Sequence, residues 1–233
     1  MATKPILFNT EMVRAILDGR KSCTRRLVKP EPQGYFEVSE EPLYIYDTDG
    51  KQGKITPPYQ PGDILYVRET FAWCPCWDCG MDTEQGACTD HIYHSEKKEY
   101  GCYMYRASCE DNEYPSADTW HPSIHMPKEA AQIWLKVKNV RVEQLQEMKP
   151  VDVIKEGAYP DCWDCLNTYE ESGSQCCYGT EEQCSQCDGV MMEWEKLWNS
   201  TIKKTDIDRY GWDANPWVWV IEFERCKKPK GEN

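Results

Sequence analysis

The chain has 233 residues, 40% of them hydrophobic, with ten Trp and fourteen Tyr, which suffices for a sizeable core and excludes a disordered chain. No uncharged apolar run approaches the ~20 residues of a membrane-spanning helix. The N-terminus, Met-Ala-Thr-Lys-Pro-Ile-Leu-Phe, also lacks the apolar stretch of a secretory signal, so a soluble, cytoplasmic protein with no membrane partner is expected.

In chain order, Asn9 or Thr10 is placed to cap a helix, and Met12, Val13, Ile16 and Leu17 recur at helical spacing. Gly19 ends that helix in a left-handed turn, so Gly19-Arg20-Lys21-Ser22-Cys23-Thr24-Arg25-Arg26 reads as its basic exit loop. Pro30 to Pro61 is polar, with scattered Pro, Gly and Tyr, and reads as loop with at most one strand. Pro61-Gly62-Asp63 is a turn that launches a strand from Ile64 to Arg68. Trp120-His121-Pro122-Ser123-Ile124-His125-Met126-Pro127 is a proline-bracketed turn, and Ile133 to Val142 a long bent strand. Pro150 to Glu156 reads as a short helix stopped by Gly157, and Met191 to Ile202 as an amphipathic helix with Met191, Trp194, Leu197 and Trp198 on one face. Trp217 to Phe223 is apolar on both sides, as a central buried strand is. These elements predict an α+β fold. The expectation is a single domain over 1–233, a small mixed β-barrel with short covering helices, interrupted by two cysteine-rich insertions, 72–116 and 158–195, that read as too polar to be core.

The charge is divided in the same way. The net charge is −13 overall, but residues 72–116 carry −6 and residues 158–195 carry −9, leaving the remainder at +2 and residues 1–30 at +5. The acidity therefore belongs to the insertions. It argues against extended, non-specific duplex binding but leaves the rest of the chain open to a nucleic-acid ligand.

Twelve of the fourteen cysteines lie in those two segments. In a reducing compartment they point to metal ligands rather than disulfides. Cys162-x2-Cys165 and Cys184-x2-Cys187, eighteen residues apart, have the spacing of a structural four-cysteine zinc site. Cys176 and Cys177 between them can replace a ligand or serve a second ion. In the first segment Cys76 and Cys79 pair, with Cys88 the nearest third ligand and the fourth open among Cys74, His91, His94, Cys102 and Cys109. Alternatively, the two Cys-Trp-Asp-Cys tetrapeptides share one ion. The acidic loops, with Trp77 and Trp163, are also candidate contacts for a protein partner.

The basic loop carries the remaining chemistry. Thr24 becomes a nucleophile if Lys21 takes its proton, and Arg20, Arg25 and Arg26 would favour the neutral amine that this requires. A carboxylate is then needed to protonate a leaving amine. The same basic residues also suit a helix C-terminus without any further role. Arg20 and Arg68 can hold a phosphate or carboxylate. Cys23, in a cationic loop, reads as a reactive thiol or as a merely buried one, and His121 and His125, which flank their proline turn, as ligand contacts or as parts of a turn linked by backbone hydrogen bonds.

The pattern Pro-Ile-Leu-Phe, Ile16-Leu17-x-Gly19-Arg20-Lys21-x-x-Thr24-x-Arg26 and Pro61-Gly62-Asp63-Ile64-Leu65-x-Val67-Arg68-Glu69 resembles the ASCH domain of the PUA-like superfamily. Trp120 to Pro127, Val137 to Leu145, Glu156-Gly157 and Trp212-Asp213-Ala214-Asn215-Pro216-Trp217-Val218-Trp219 are similar to the longer ASCH proteins of phages and prophages. The resemblance implies a β-barrel with a cationic cleft that binds RNA or a modified nucleoside or nucleotide, through Arg20, Lys21, Arg25, Arg26 and Arg68. It also implies a phage or prophage origin in a bacterial cell. Through the acetylcytidine amidohydrolases of the same family it implies Thr24 as nucleophile, Lys21 as its base and Glu156 as general acid/base.

Overall fold

The structure, a computed structural model, describes residues 2–32, 36–40, 43–47, 53–75, 92–94, 96–109, 120–157 and 185–229. These form a mixed α+β architecture dominated by sheets, as the sequence predicts. The chain divides into two compact units, each assembled from separate stretches. The first comprises Met1–Ala2, Asp18–Asp63 and Lys136–Glu224, the second Thr3–Leu17, Ile64–Leu135 and Arg225–Asn233.

In the first unit, β2 (Cys23–Leu27), β10 (Trp134–Gln144, from Lys136 onward in this unit) and β11 (Trp217–Cys226, to Glu224) form a sheet in the order β10-β11-β2. β11 is the central strand, and Val218, Trp219, Val220, Ile221 and Phe223 are all buried, so both of its faces are covered as its apolar run requires. Antiparallel pairing sets Val218 opposite Leu27, Val220 opposite Arg25 and Glu222 opposite Cys23. Directly opposed residues share a face, so Cys23, Arg25 and Leu27 lie on the Val218 and Val220 face, and Thr24 and Arg26 on the Trp219 and Ile221 face.

The Val218 and Val220 face is covered by α2 (Pro150–Lys155) and α3 (Ser185–Thr201), with Leu145, Met148, Val153, Trp194 and Trp198 in one core cluster. Met191 and Leu197 pack against it, so the predicted apolar stripe is the one buried. α3 begins six residues before the expected Met191, because its first turns, Ser-Gln-Cys-Asp-Gly-Val, carry no apolar period. A last short helix, α4 (Ile207–Tyr210), precedes β11.

The same unit holds a small antiparallel sheet of β3 (Phe36–Glu40), β4 (Leu43–Asp47) and β5 (Lys54–Ile55), in that order. This corrects the reading of Pro30 to Pro61 as loop with at most one strand. Ile45 and Ile55 are buried and give the polar segment the anchor that its composition hides.

In the second unit, β1 (Thr3–Leu7) runs parallel to β6 (Ile64–Arg68), and α1 (Thr10–Leu17) follows β1. Asn9 is the cap of α1: its Oδ1 accepts the Met12 N–H at 2.8 Å. The left-handed glycines fall where expected, with φ of +80° at Gly19 and +88° at Gly62. A second sheet of β7 (Phe71–Pro75), β9 (Glu99–Tyr105) and β8 (Ile92–His94) lies in the order β7-β9-β8. Ala72, Trp73 and Cys74 are buried in it, which corrects the reading of these three residues as too polar to be core. Charge counts over a whole segment conceal a period-two strand embedded in it. Among the described residues the sheets are open and close no barrel.

Candidate active site

The basic segment is not an exit loop. Cys23 to Leu27 is strand β2, and the cations before it cap a helix distant in sequence. Three successive carbonyls at the C-terminal end of α2 accept donors from three successive residues. Ser22 N donates to Lys155 O at 2.8 Å, Lys21 Nζ to Glu156 O at 2.7 Å and Arg20 Nη1 to Gly157 O at 2.8 Å. Gly157, at φ +93°, turns the chain away after the last helical residue. The helix-end role of these cations is thus real, but it belongs to α2 and not to α1.

Lys21 and Glu156, 135 residues apart, meet at 2.8 Å between Nζ and Oε2, with side chains 0% and 1% exposed. A third Lys21 hydrogen bond, 2.8 Å to Cys23 O, matches every ammonium proton with an acceptor. Arg25, equally buried, donates to Glu156 Oε1 at 3.2 Å and to Glu143 Oε1 at 2.6 and 3.0 Å, with Asp152 Oδ2 at 3.7 Å. The alternation continues outward from Glu143 to Arg141 Nε at 3.2 Å, and from Arg141 to Glu222. Burial alone would lower the Arg25 pKa; the charges of Glu156 and Glu143 outweigh it and raise it. Cys23 lies on the same face, and its thiol is pushed up to about 12, first by burial and then by Glu156, against the opposing charges of Arg25 and Lys21. Of the reactive and the merely buried thiol, the structure favours the buried one, since almost none of it is thiolate at neutral pH.

Thr24 lies on the other face of β2. It is 1% exposed, and its Oγ1 accepts a hydrogen bond from Arg26 Nη1 at 2.9 Å. Arg26 also donates to Arg25 O at 3.1 Å. Burial lowers the Arg26 pKa against the pull of Glu156 and Tyr59, while burial raises that of Tyr59 and Arg26 opposes it. Thr24, Arg26 and Tyr59 therefore form a polar group on this face, and Lys21, Arg25 and Glu156 a charged one on the α2 face.

Of the sequence-predicted residues, the structure brings Lys21, Arg25 and Glu156 together and joins Thr24 to Arg26. Arg20 is tied to Gly157 O and, at 2.9 Å, to Asp18 Oδ2. Arg68, in the second unit, donates from Nη2 to Ile124 O, and its buried Nε has no partner among the described residues. Glu143 and Asp152 escaped the sequence reading: nothing in their neighbourhoods marks them, and only pairing across β10, β11 and β2 sets Glu143 beside Arg25.

The expected metal ligands Cys76, Cys79, Cys88, Cys162, Cys165 and Cys184 lie outside the described residues, as do Trp77 and Trp163, while Cys187 falls within α3. Among the described residues no three His, Cys, Asp or Glu side chains are grouped to hold a metal ion.

No known family model matches the chain, and no curated protein does. Among solved structures it is similar to the crystal structure of hypothetical protein PH0355, at 13% identity and a TM-score of 0.30, over 97% of this chain and 100% of that one.

Proposed function

We propose that the chain is a PUA-like, ASCH-type domain that binds RNA or a modified nucleoside on the β2 face carrying Thr24, Arg26 and Tyr59. The observation that carries this reading is the polar group on that face. Arg20, Lys21 and Arg25 are held on the α2 side by carbonyls and carboxylates of the fold. Arg26 lies on the other face, donates to the Thr24 hydroxyl and to Arg25 O, and has its pKa lowered by burial against the pull of Glu156 and Tyr59. A guanidinium so placed, beside a phenol, can both stack on a base and donate to its acceptor edge.

A second reading is favoured by the buried Lys21–Glu156 contact, because ionisable pairs withdrawn from water are a common property of catalytic sites. In it the domain is an amidohydrolase for an acylated nucleoside. Thr24 Oγ attacks the acyl carbonyl as Lys21, after passing a proton to Glu156, takes the hydroxyl proton. Glu156 returns a proton to the exocyclic amine as the C–N bond breaks, and water then releases the acyl group from Thr24. This reading requires bound substrate to bring the Thr24 hydroxyl, now on the other face of β2, within hydrogen-bond reach of Lys21 Nζ.

One experiment covers both. The full-length chain is titrated with cytidine, N4-acetylcytidine and a short single-stranded RNA, and acetate release is followed in parallel. Saturable binding that Arg26→Ala weakens by about tenfold or more, without acetate release, supports the binding reading. Acetate release lost in Thr24→Ala, with thermal stability retained, establishes the hydrolase. Absence of both binding and turnover across the panel sinks both readings.

A further inference from the structure

The second unit contains a cavity of about 440 Å³ between one face of the β7-β9-β8 sheet and the segment that follows His121, lined by Phe71, Trp73, Tyr93, Tyr103 and His94 on one side and by His121, His125, Pro127 and Glu129 on the other. Period-two alternation explains the aromatic wall. Phe71 and Trp73 are two apart on β7, and Tyr103 on β9 is directly opposite Trp73. Gly101, two residues back on β9, leaves the room the indole occupies, since a Cβ there would lie 2.5 Å from Trp73 Cζ2. The Trp73 Nε1–H is fixed by Glu99 Oε1 at 2.9 Å.

The rings meet at corners. Trp73 and Tyr103 are 5.2 Å apart at 73°, Phe71 and Tyr103 6.0 Å apart at 66°, and Trp73 and His94 4.9 Å apart at 75°. Parallel walls would suit a flat ring; perpendicular faces suit a compact, roughly spherical group that touches several rings at once. Glu96, Glu129 and Lys97 complete the lining among the described residues. The Tyr103 hydroxyl has its pKa raised by burial first and then by the charges of Glu129 and Glu96. A metal ion is not the fitting occupant, because no three of the described His, Cys, Asp or Glu groups are close enough to bind one.

We propose that this cavity binds a methylated ammonium head group, held by cation–π contact with the Trp73, Tyr103 and Phe71 corner and by the negative charge of Glu96 and Glu129. The rings supply the negative faces and the carboxylates supply long-range attraction. The site lies within the second unit and does not depend on the β2 reading.

The test is calorimetric titration of the full-length chain with choline, with its neutral isostere 3,3-dimethyl-1-butanol, and with a short peptide carrying trimethyl-lysine. The cations are expected to bind at least about tenfold tighter than the neutral isostere. The exposed pair Glu96→Gln/Glu129→Gln should weaken choline by about tenfold, and Tyr103→Leu, in a sample whose melting temperature shows it folded, should abolish saturation. Preference for the peptide over choline assigns the head group to a protein tail, and the reverse assigns it to a free small molecule; either result upholds the site. Equal affinity for the neutral isostere, unchanged choline binding in the Gln pair, or no saturation by any cation up to roughly 10 mM overturns it.

Discussion

Glu69, immediately after β6, is 0% exposed. Its Oε1 accepts from Gln132 Nε2 at 2.9 Å, while Oε2 has no partner among the described residues. Burial pushes its pKa up to about 7 from an ordinary 4.5, against the Gln132 hydrogen bond. Between those two values the folded state holds more proton than the unfolded state, so the contribution of Glu69 to stability is full below pH 4.5 and is lost as pH rises through 7. The expected total loss is up to about 3 kcal/mol, and Glu69→Gln should remove that slope and be the more stable protein at pH 8. Denaturant midpoints of both chains at pH 5 and pH 8 measure it; parallel profiles would show that Glu69 is ionised in the fold. At this scale the local pattern marked Lys21 and Thr24, and only the family resemblance pointed to Glu156. The sequence did not mark Glu143 and Asp152, because a carboxylate 118 residues from Arg25 becomes its partner only through the fold. Of the two readings it offered for Cys23, reactive or merely buried, the buried one holds, since burial outweighs the nearby cations.

At the scale of elements, those with a strong period and clear punctuation were legible: α1 with its Asn9 cap, the Gly62 turn into β6, α2 stopped by Gly157, and β11. The short strands of residues 36–55 and the β7-β9-β8 sheet were not, because five-residue strands among prolines, acids and cysteines leave too few alternations to outweigh a polar composition. Yet Phe71 and Trp73, with Tyr103 and Tyr105, carry a period of two that a narrower window would have caught. Gly101 is the tightest point of that sheet. A methyl group there would meet Cys74 O and the Trp73 ring at 2.5 Å, and neither a strand carbonyl nor a fixed indole can yield cheaply. Gly101→Ala is therefore expected to lower stability by about 1–3 kcal/mol and to weaken binding in the aromatic cavity, measured by denaturant unfolding and by choline titration of the same sample. An unchanged unfolding midpoint would mean that the strand shifts without cost.

At the scale of the whole molecule, the cysteine spacing makes a prediction that composition and charge already frame. We propose structural zinc held by Cys162, Cys165, Cys184 and Cys187, with Cys76, Cys79 and Cys88 contributing to a further site. A site of four thiolates has no open position for chemistry and contributes on the order of 10 kcal/mol to ordering its loop. Purified protein is expected to contain zinc, and Cys162→Ser with Cys165→Ser should lower the metal content by one ion per chain, as read by elemental analysis. Chelation should lower the melting temperature. Equal zinc content in wild type and variant would remove the assignment. Each compact unit is assembled from stretches far apart in the chain. Local patterns mark where an element starts and stops; they carry little about which distant element completes its sheet.

The capping of α2 by Arg20, Lys21 and Ser22 bears on how the protein is made. Lys21 and Arg25 leave the ribosome long before their partners: at roughly 5–20 residues per second, the 135 residues separating Lys21 from Glu156 take about 7 to 27 s to synthesise. During that interval β2 has no neighbouring strand and no helix to cap, and its charges keep a segment otherwise prone to pair with other chains in water. Only when Glu156 and then β11 have emerged can those cations be withdrawn from solvent without loss. The buried ion pair can therefore close only late in synthesis, and until then its charges favour keeping the first-made strand of the first unit in water while its last-made strand is still to come.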